Sequence, residues 1–453
     1  MTDAAASRGA SPLDPHAAVA AVGGGVAPTG TAPLRAADGR PLKAALQRAE
    51  RVNRRRAFLL VAPLLLFVLV TFLFPIGNLL KQSIWNDGFV VHENFATGTR
   101  TPIMQNLGGW FDANPPGTPA NEEAFAALAA DMAQLRELRA QGSVGTRINY
   151  EVPGTRSLFT KTARRADDLR PPFMEAILDV DEDWADPALW AAMRGASSPL
   201  TLNFYLAAVD LERNAQGDIV PVNENRAIYR DLFGKTLVLS LVITGATLLL
   251  GFPVAYLLAT LPLAKSNLLM IFVLLPFWTS LLVRTTSWIV LLQSQGVVND
   301  GLVAAGIIGD GSRIQMMYNQ MGTVIAMTHI LLPFMVLPLY SVMRPIDPSY
   351  MRAARSLGAN SFTAFRRVYL PLTIPGIGAG ALLVFILAVG YYITPALVGG
   401  ADGQLISNLI AFHILDSLNW SLGAALASLL LFGVLILYWL YDRLVGIDNL
   451  KLG

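Results

Sequence analysis

The chain contains no cysteine, so disulfides, cysteine-bound zinc, iron–sulfur clusters and thiol catalysis are all excluded. Histidine is nearly as scarce. The four present (His16, His92, His329 and His413) are far apart and show no metal-ligand spacing. Charge is also in short supply: 15% of the 453 residues are charged, against about 25% in ordinary soluble domains. The net charge of +2, with no Lys/Arg block interleaved with aromatics, gives no footprint for nucleic acid. A phosphate-cradling loop is missing too. Gly234-Lys235-Thr236 imitates the end of one, but Tyr229 stands where its first glycine belongs, and an apolar span follows instead of preceding. What the chain has in abundance is apolar sequence, 53% hydrophobic and gathered into long runs. That places it among integral membrane proteins.

Residues 1–50, rich in Ala, Gly, Pro and Ser, read as a disordered cytoplasmic tail. Arg51, Arg54, Arg55 and Arg56 then precede "AFLLVAPLLLFVLVTFLFPIGNLL", about 24 uncharged residues, enough to cross a bilayer. The run is too long for a signal-peptide core and lacks a cleavage site, so a retained transmembrane helix is expected at 57–82. The arginines place the N-terminus in the cytoplasm. Residues 84–230 are polar, carry both charge signs, and are long enough to fold as a domain; after an outward helix they form an extracytoplasmic (periplasmic) insertion. Within it, Phe125, Leu128, Met132 and Leu135 share one face of a helix that Asn121 starts and Gly142 ends. Trp184, Leu189 and Trp190 are further core candidates. Five more apolar segments follow at 233–261, 267–291, 321–343, 376–398 and 421–441, making a core at 231–446. Six spans with both termini inside satisfy every short loop. The expected fold is an all-α integral membrane protein.

The cytoplasmic segment 343–375 is unlike the rest. Asp347-Pro348 is a cap followed by a first-turn proline. Tyr350, Met351, Ala354 and Leu357 make an apolar stripe, with Arg352 and Arg355 pointing elsewhere. Gly358 supplies a left-handed stop. Asn360 or Ser361 caps a second short helix, with Phe362, Phe365 and Tyr369 on one face opposite Arg366 and Arg367. Pro371 and Pro375 are expected to break the chain before the next span. Physical chemistry alone fits such a bent pair both to a protein partner and to anionic lipid.

The spacing Ala353-Ala354, Gly358, Val368-Tyr369-Leu370-Pro371 resembles the loop of ABC importer permeases written E-A-A-x3-G-x9-I-x-L-P. "FGKTLVLSLVITGATLLLGFPVAYLLA", "LLPFWTSLLVRTTSWIVLLQSQGVVN", "LLPFMVLPLYSVM" and "YYITPALVGG" look like the polyamine (spermidine/putrescine) group of that family. The resemblance covers about 230 to 440 and leaves the tail and the insertion unexplained. It implies a type I importer permease fold of six transmembrane helices, with Arg352, Ala353, Ala354, Gly358, Phe362, Phe365, Leu370 and Pro371 in the ATPase-coupling loop. It also implies two ATPase subunits carrying ATP and Mg, a second permease subunit that is a different chain, and a periplasmic solute-binding protein. The location would be the bacterial inner membrane, and no catalytic site, metal or cofactor is expected on the chain itself. One departure stands out: the family's glutamate position is Arg352, a five-donor cation instead of an acceptor-only carboxylate.

Ionisable and aromatic groups inside spans are candidates for the substrate path. Arg284 fits both a structural lock on carbonyls freed by Pro276 and a path residue. His329 fits both a helix–helix bond and the path. Trp278, Tyr391, Tyr392 and Thr394 complete the set; the last three interrupt a span just before Pro395, which suits a discontinuous, cavity-lining helix or an interfacial aromatic belt. Two rival classes are a secondary transporter and a membrane-anchored sensor or enzyme acting through 84–230. The first lacks an inverted repeat and midplane acids, the second a nucleophile–base pair.

Overall fold

The computed structural model describes residues 42–94 and 96–445. The expected tail lies mostly outside these residues, but its end does not: a helix already begins at Leu42. The described residues divide into two compact units, one running up to Pro75 and one starting at Ile76. In the first, the Leu42–Val68 helix passes into a π-turn at Leu69–Leu73, where Phe74 N–H bonds the Leu69 carbonyl. Pro75 follows directly. It has no amide to offer the carbonyl of Thr71, and the widened turn absorbs that missing donor.

The second unit opens with the insertion, whose core is apolar and continuous. Phe125, Leu128, Met132 and Leu135 are all buried in it, together with Trp184, Leu189 and Trp190. Asn121 caps the Glu122–Leu138 helix by accepting from Ala124 N–H. The helix stops at Arg139, with φ of 54°, not at Gly142, which lies inside the next helix, Gln141–Asn149. Burial of Ala140 behind the left-handed residue, with its N–H on the Leu135 carbonyl, completes the stop without glycine. Among the described residues, two short antiparallel hairpins, Val91–Asn94 with Thr99–Pro102 and Leu211–Arg213 with Ile219–Pro221, interrupt a mainly helical chain.

Buried Asp131 organises the insertion's first helix. Its carboxylate accepts from Asn106 and Leu107 N–H and from Asn106 Nδ2, closing the N-terminus of Gln105–Ala113. Burial pushes the Asp131 carboxyl above its usual value, opposed by those hydrogen bonds.

The insertion is tied to the ends of the spans. Asp210 accepts from Ile228, Tyr229 and Arg230 N–H at 3.0, 3.0 and 2.7 Å, capping the 32-residue helix Tyr229–Thr260. Asn86 Nδ2 donates to Ser421 Oγ, Tyr150 OH donates to the Leu418 carbonyl, and Tyr205 OH bonds Ser428 Oγ. All three reach the foot of the last helix, Trp420–Val445.

Among the described residues, five helices are long and apolar enough to cross a membrane: Asn53–Ile84, Tyr229–Thr260, Gln320–Met343, Ser361–Gly390 and Trp420–Arg443. The expected span at 267–291 is not one straight helix. It comprises Leu263–Trp278 and Leu281–Ala304, bent by 99°, and counting the pair as one span gives six. Thr279 and Ser280 at the bend are extended, and Thr279 Oγ1 takes the Pro276 carbonyl. The Gly376 and Gly380 face packs internally: an added Cβ would meet the Leu339 backbone at 3.2 Å and Met335 Sδ at 2.8 Å. These glycines let the Leu370–Gly390 and Gln320–Met343 helices approach closely.

Candidate functional site

Each local stop and start in the basic segment 343–375 has an identifiable bond. Asp347 accepts from Ser349 N–H at 2.7 Å, and this bond holds its carboxyl below the usual carboxylate range. The Pro348–Ser356 helix ends with Gly358 at φ 90°. There Gly358 N–H bonds the Arg355 carbonyl at 3.0 Å and Ala359 N–H bonds the Ala354 carbonyl at 3.1 Å. Nothing lies within 4 Å of a Cβ built on Gly358, so conformation, not space, demands glycine. Asn360, not Ser361, caps the second helix by accepting from Thr363 N–H at 2.7 Å.

Beyond this point the structure departs from expectation. Pro371 and Pro375 do not break the chain: Ser361–Ala364 runs through a π-turn at Phe365–Tyr369 straight into Leu370–Gly390. Leu370 N–H bonds the Phe365 carbonyl, five residues back, and this shifted pairing accommodates the amide that Pro371 lacks. Phe362, Phe365 and Tyr369 do not share a face either. Phe365 and Tyr369 turn inward and stack at 5.7 Å, edge-on to Tyr256 at 5.9 and 5.2 Å, with Phe252 6.1 Å from Phe365. Phe362 is left 70% exposed. The apolar stripe divides the same way: Met351 packs on the core, whereas Leu357 is 90% exposed and Tyr350 56%. Ala353 and Pro371 are exposed, while Ala354 and Leu370 are half-buried. Arg344 completes the attachment, donating to the Ala259 and Leu261 carbonyls at 2.7 and 3.0 Å.

Three elements gather the path candidates. The Leu281–Leu292, Gln320–Met343 and Ile393–Val398 helices pack on one another, bringing Arg284, His329 and Thr394 onto neighbouring elements. Arg284 lies within electrostatic reach of His329 and Tyr391, yet its Nε is buried with no hydrogen-bond partner. Trp288, one turn further, donates from Nε1 to His329 Nδ1 at 3.1 Å. Because indole only donates, Nδ1 accepts and the neutral imidazole carries its proton on Nε2. Trp278 sits at the 99° bend, 73% exposed.

The span interruption expected at Tyr391–Thr394 is present, and its loose backbone groups are satisfied. The helix stops at Gly390 and resumes at Ile393. Ser407 Oγ donates to the Tyr391 carbonyl at 2.6 Å and Asn408 Nδ2 to the Tyr392 carbonyl at 2.7 Å. Asn408 Oδ1 in turn accepts from Leu405 N–H at 3.0 Å. Both clasping residues belong to the Ile406–Leu415 helix. Thr394 is buried, with its hydroxyl unpaired; Tyr392 is 40% exposed. The sequence reading missed Trp288, Ser407, Asn408, Phe252 and Tyr256. All are uncharged, Trp288, Phe252 and Tyr256 inside stretches read only for their family likeness, and only their three-dimensional partners mark them.

Residues 248–446 match the family of binding-protein-dependent transport system inner membrane components. Over 222 residues the chain is 37% identical to the spermidine/putrescine transport system permease protein PotB of Escherichia coli K12, covering 48% of this chain and 80% of that protein. The protein of the same name from Haemophilus influenzae is 35% identical over 249 residues, covering 55% of this chain and 84% of the relative. A solved bacterial ABC transporter involved in importing the acidic polysaccharide alginate aligns with 49% of this chain and 80% of its own at 20% identity, with a TM-score of 0.40. The identity to the PotB proteins and the apolar helices lead to one conclusion: the chain belongs to the family of binding-protein-dependent transport system inner membrane components and is a multi-pass inner-membrane transport component.

Proposed function

We propose that the chain is one permease subunit of an ATP-driven ABC importer for polyamines. The observation that carries this reading is the 37% identity extending over 80% of a spermidine/putrescine permease. In this reading the chain forms half of the translocation path with a second permease subunit, and catalyses nothing itself. Two ATPase subunits bind ATP and Mg, and a periplasmic binding protein delivers the solute. Both termini and segment 343–375 face the cytoplasm, which the arginines there favour.

The coupling role of residues Arg352–Pro371 is supported by rigidity. Two capped helices, a left-handed glycine, an aromatic clamp and the Arg344 bonds give that segment one shape, as a lever between ATPase and spans requires. ATP would close the ATPase pair and carry this lever, swinging the spans between inward-open and outward-open states through differential contacts in each. The broken segment around Tyr391–Thr394 suits the solute path. Tyr392 offers a ring face to an ammonium group, worth about 0.5–2 kcal/mol, while Arg284 repels one. The insertion, clasped to the ends of the second and last spans, suits a platform on which a loaded binding protein acts.

Co-expression with the importer's ATPase subunits tests this reading. Co-purification and ATP hydrolysis stimulated by spermidine-loaded binding protein are expected. A chain that moves solute with no ATPase present refutes it.

A further inference from the structure

The coupling segment carries four arginines for which the described residues supply no ion-pair partner. Arg352, Arg355, Arg366 and Arg367 are all exposed, and among the described residues none forms an ion pair with a carboxylate. The nearest acid in sequence, Asp347, lies within electrostatic reach of Arg352 but forms no ion pair with it, and its carboxylate accepts from Ser349 N–H. Beside these cations stand Leu357, 90% exposed, and Phe362, 70% exposed. The surface is therefore an apolar tip ringed by guanidinium groups, on a backbone fixed by bonds at both ends.

Resting on the permease reading above, we infer that this tip enters an ATPase groove that is apolar at its floor and acidic on its rim, with a carboxylate facing Arg352. A glutamate at that position, as the family's loop pattern has it, would require a donor from its partner. Arg352 requires the opposite, because a guanidinium has five donors and no acceptor. An arginine facing a cationic or donor-lined groove would be desolvated without a partner, a cost that interfaces avoid.

Two features favour a protein groove over lipid headgroups. An interfacial anchor needs only amphipathicity, whereas this segment is held to one geometry. The exposed Ala353 and the open space around Gly358 also leave room for another backbone to approach closely.

The test uses the full chain in detergent with the ATPase subunits of the same importer, measuring association at low and high salt. Arg352→Glu, which restores the family residue at an exposed site, is expected to weaken association about tenfold or more. Arg352→Gln weakens it less and flattens the salt dependence. Replacing the facing acid on the ATPase with arginine restores binding to Arg352→Glu. Association of Arg352→Glu that is as tight as wild type, or tighter, overturns the inference. So does unchanged ATPase affinity together with loss of co-purifying anionic phospholipid, which assigns the arginines to headgroups. Absence of any ATPase binding by the wild-type chain instead refutes the permease reading itself.

Discussion

Gly358 is the residue on which the shape of the basic segment 343–375 turns. At φ 90° an L-residue pays about 1–2 kcal/mol for the left-handed conformation. No neighbour lies within 4 Å of an added Cβ, so Gly358→Ala adds this strain and nothing else. If only the native shape binds the ATPase, the strain lowers affinity by about five- to thirty-fold. Gly358→Asn suffers less, because asparagine tolerates this region. Gly358→Pro suffers more: it fixes φ near −65° and removes the N–H that bonds the Arg355 carbonyl. The predicted order of affinity is Gly, Asn, Ala, Pro. It is read by titrating ATPase subunits onto the purified variants, with membrane insertion and thermal stability of the spans as unchanged controls. An alanine variant within twofold of wild type would show that the turn does not set the binding-competent shape.

Three other perturbations follow from named bonds. Asp210→Ala strips the acceptor from three amides at the start of the Tyr229–Thr260 helix; at about 2–4 kcal/mol, hydrogen exchange at Ile228–Arg230 rises by one to two orders of magnitude or more, and unchanged exchange contradicts the cap. Asn408→Ala leaves the Tyr392 carbonyl and Leu405 N–H unpaired, costing about 1–3 kcal/mol for each group. Uptake should fall while the chain still inserts; full uptake would mean the clasp is dispensable. Asp131 tests a sign. Its folded pKa is raised by burial, so its contribution to stability is fully present below the ordinary aspartate value of 3.8 and is lost as pH rises through the raised one. Urea unfolding followed by tryptophan fluorescence should show wild type gaining on Asp131→Asn as pH falls, and a gap independent of pH opposes the assignment.

The parts of this chain that could be read from its residues are those decided locally. Asp347, Gly358 and Asn360 act within four residues of themselves, and each takes the expected role. Long apolar runs marked the spans because the bilayer demands length and little else. The misreadings share the opposite character. The 99° bend at Thr279–Ser280 lies inside a long, mostly apolar run, where hydropathy is blind to direction. Pro371 and Pro375 looked like breaks, but a π-turn just before them absorbs the first, and no composition signals that. Arg139 replaced Gly142 as a stop because packing of Ala140 outweighed the glycine preference. The Ile406–Leu415 helix is too short to span, so nothing in the sequence announced that it would clasp the interrupted Tyr391–Tyr392 backbone.

ATP-driven uptake of radiolabelled spermidine by proteoliposomes holding this chain, its partner permease and the ATPase subunits tests the central claim most directly. Uptake is predicted to require ATP and binding protein together, and to disappear when this chain is omitted. Spermidine accumulation that persists without this chain, or without ATP, would contradict the account.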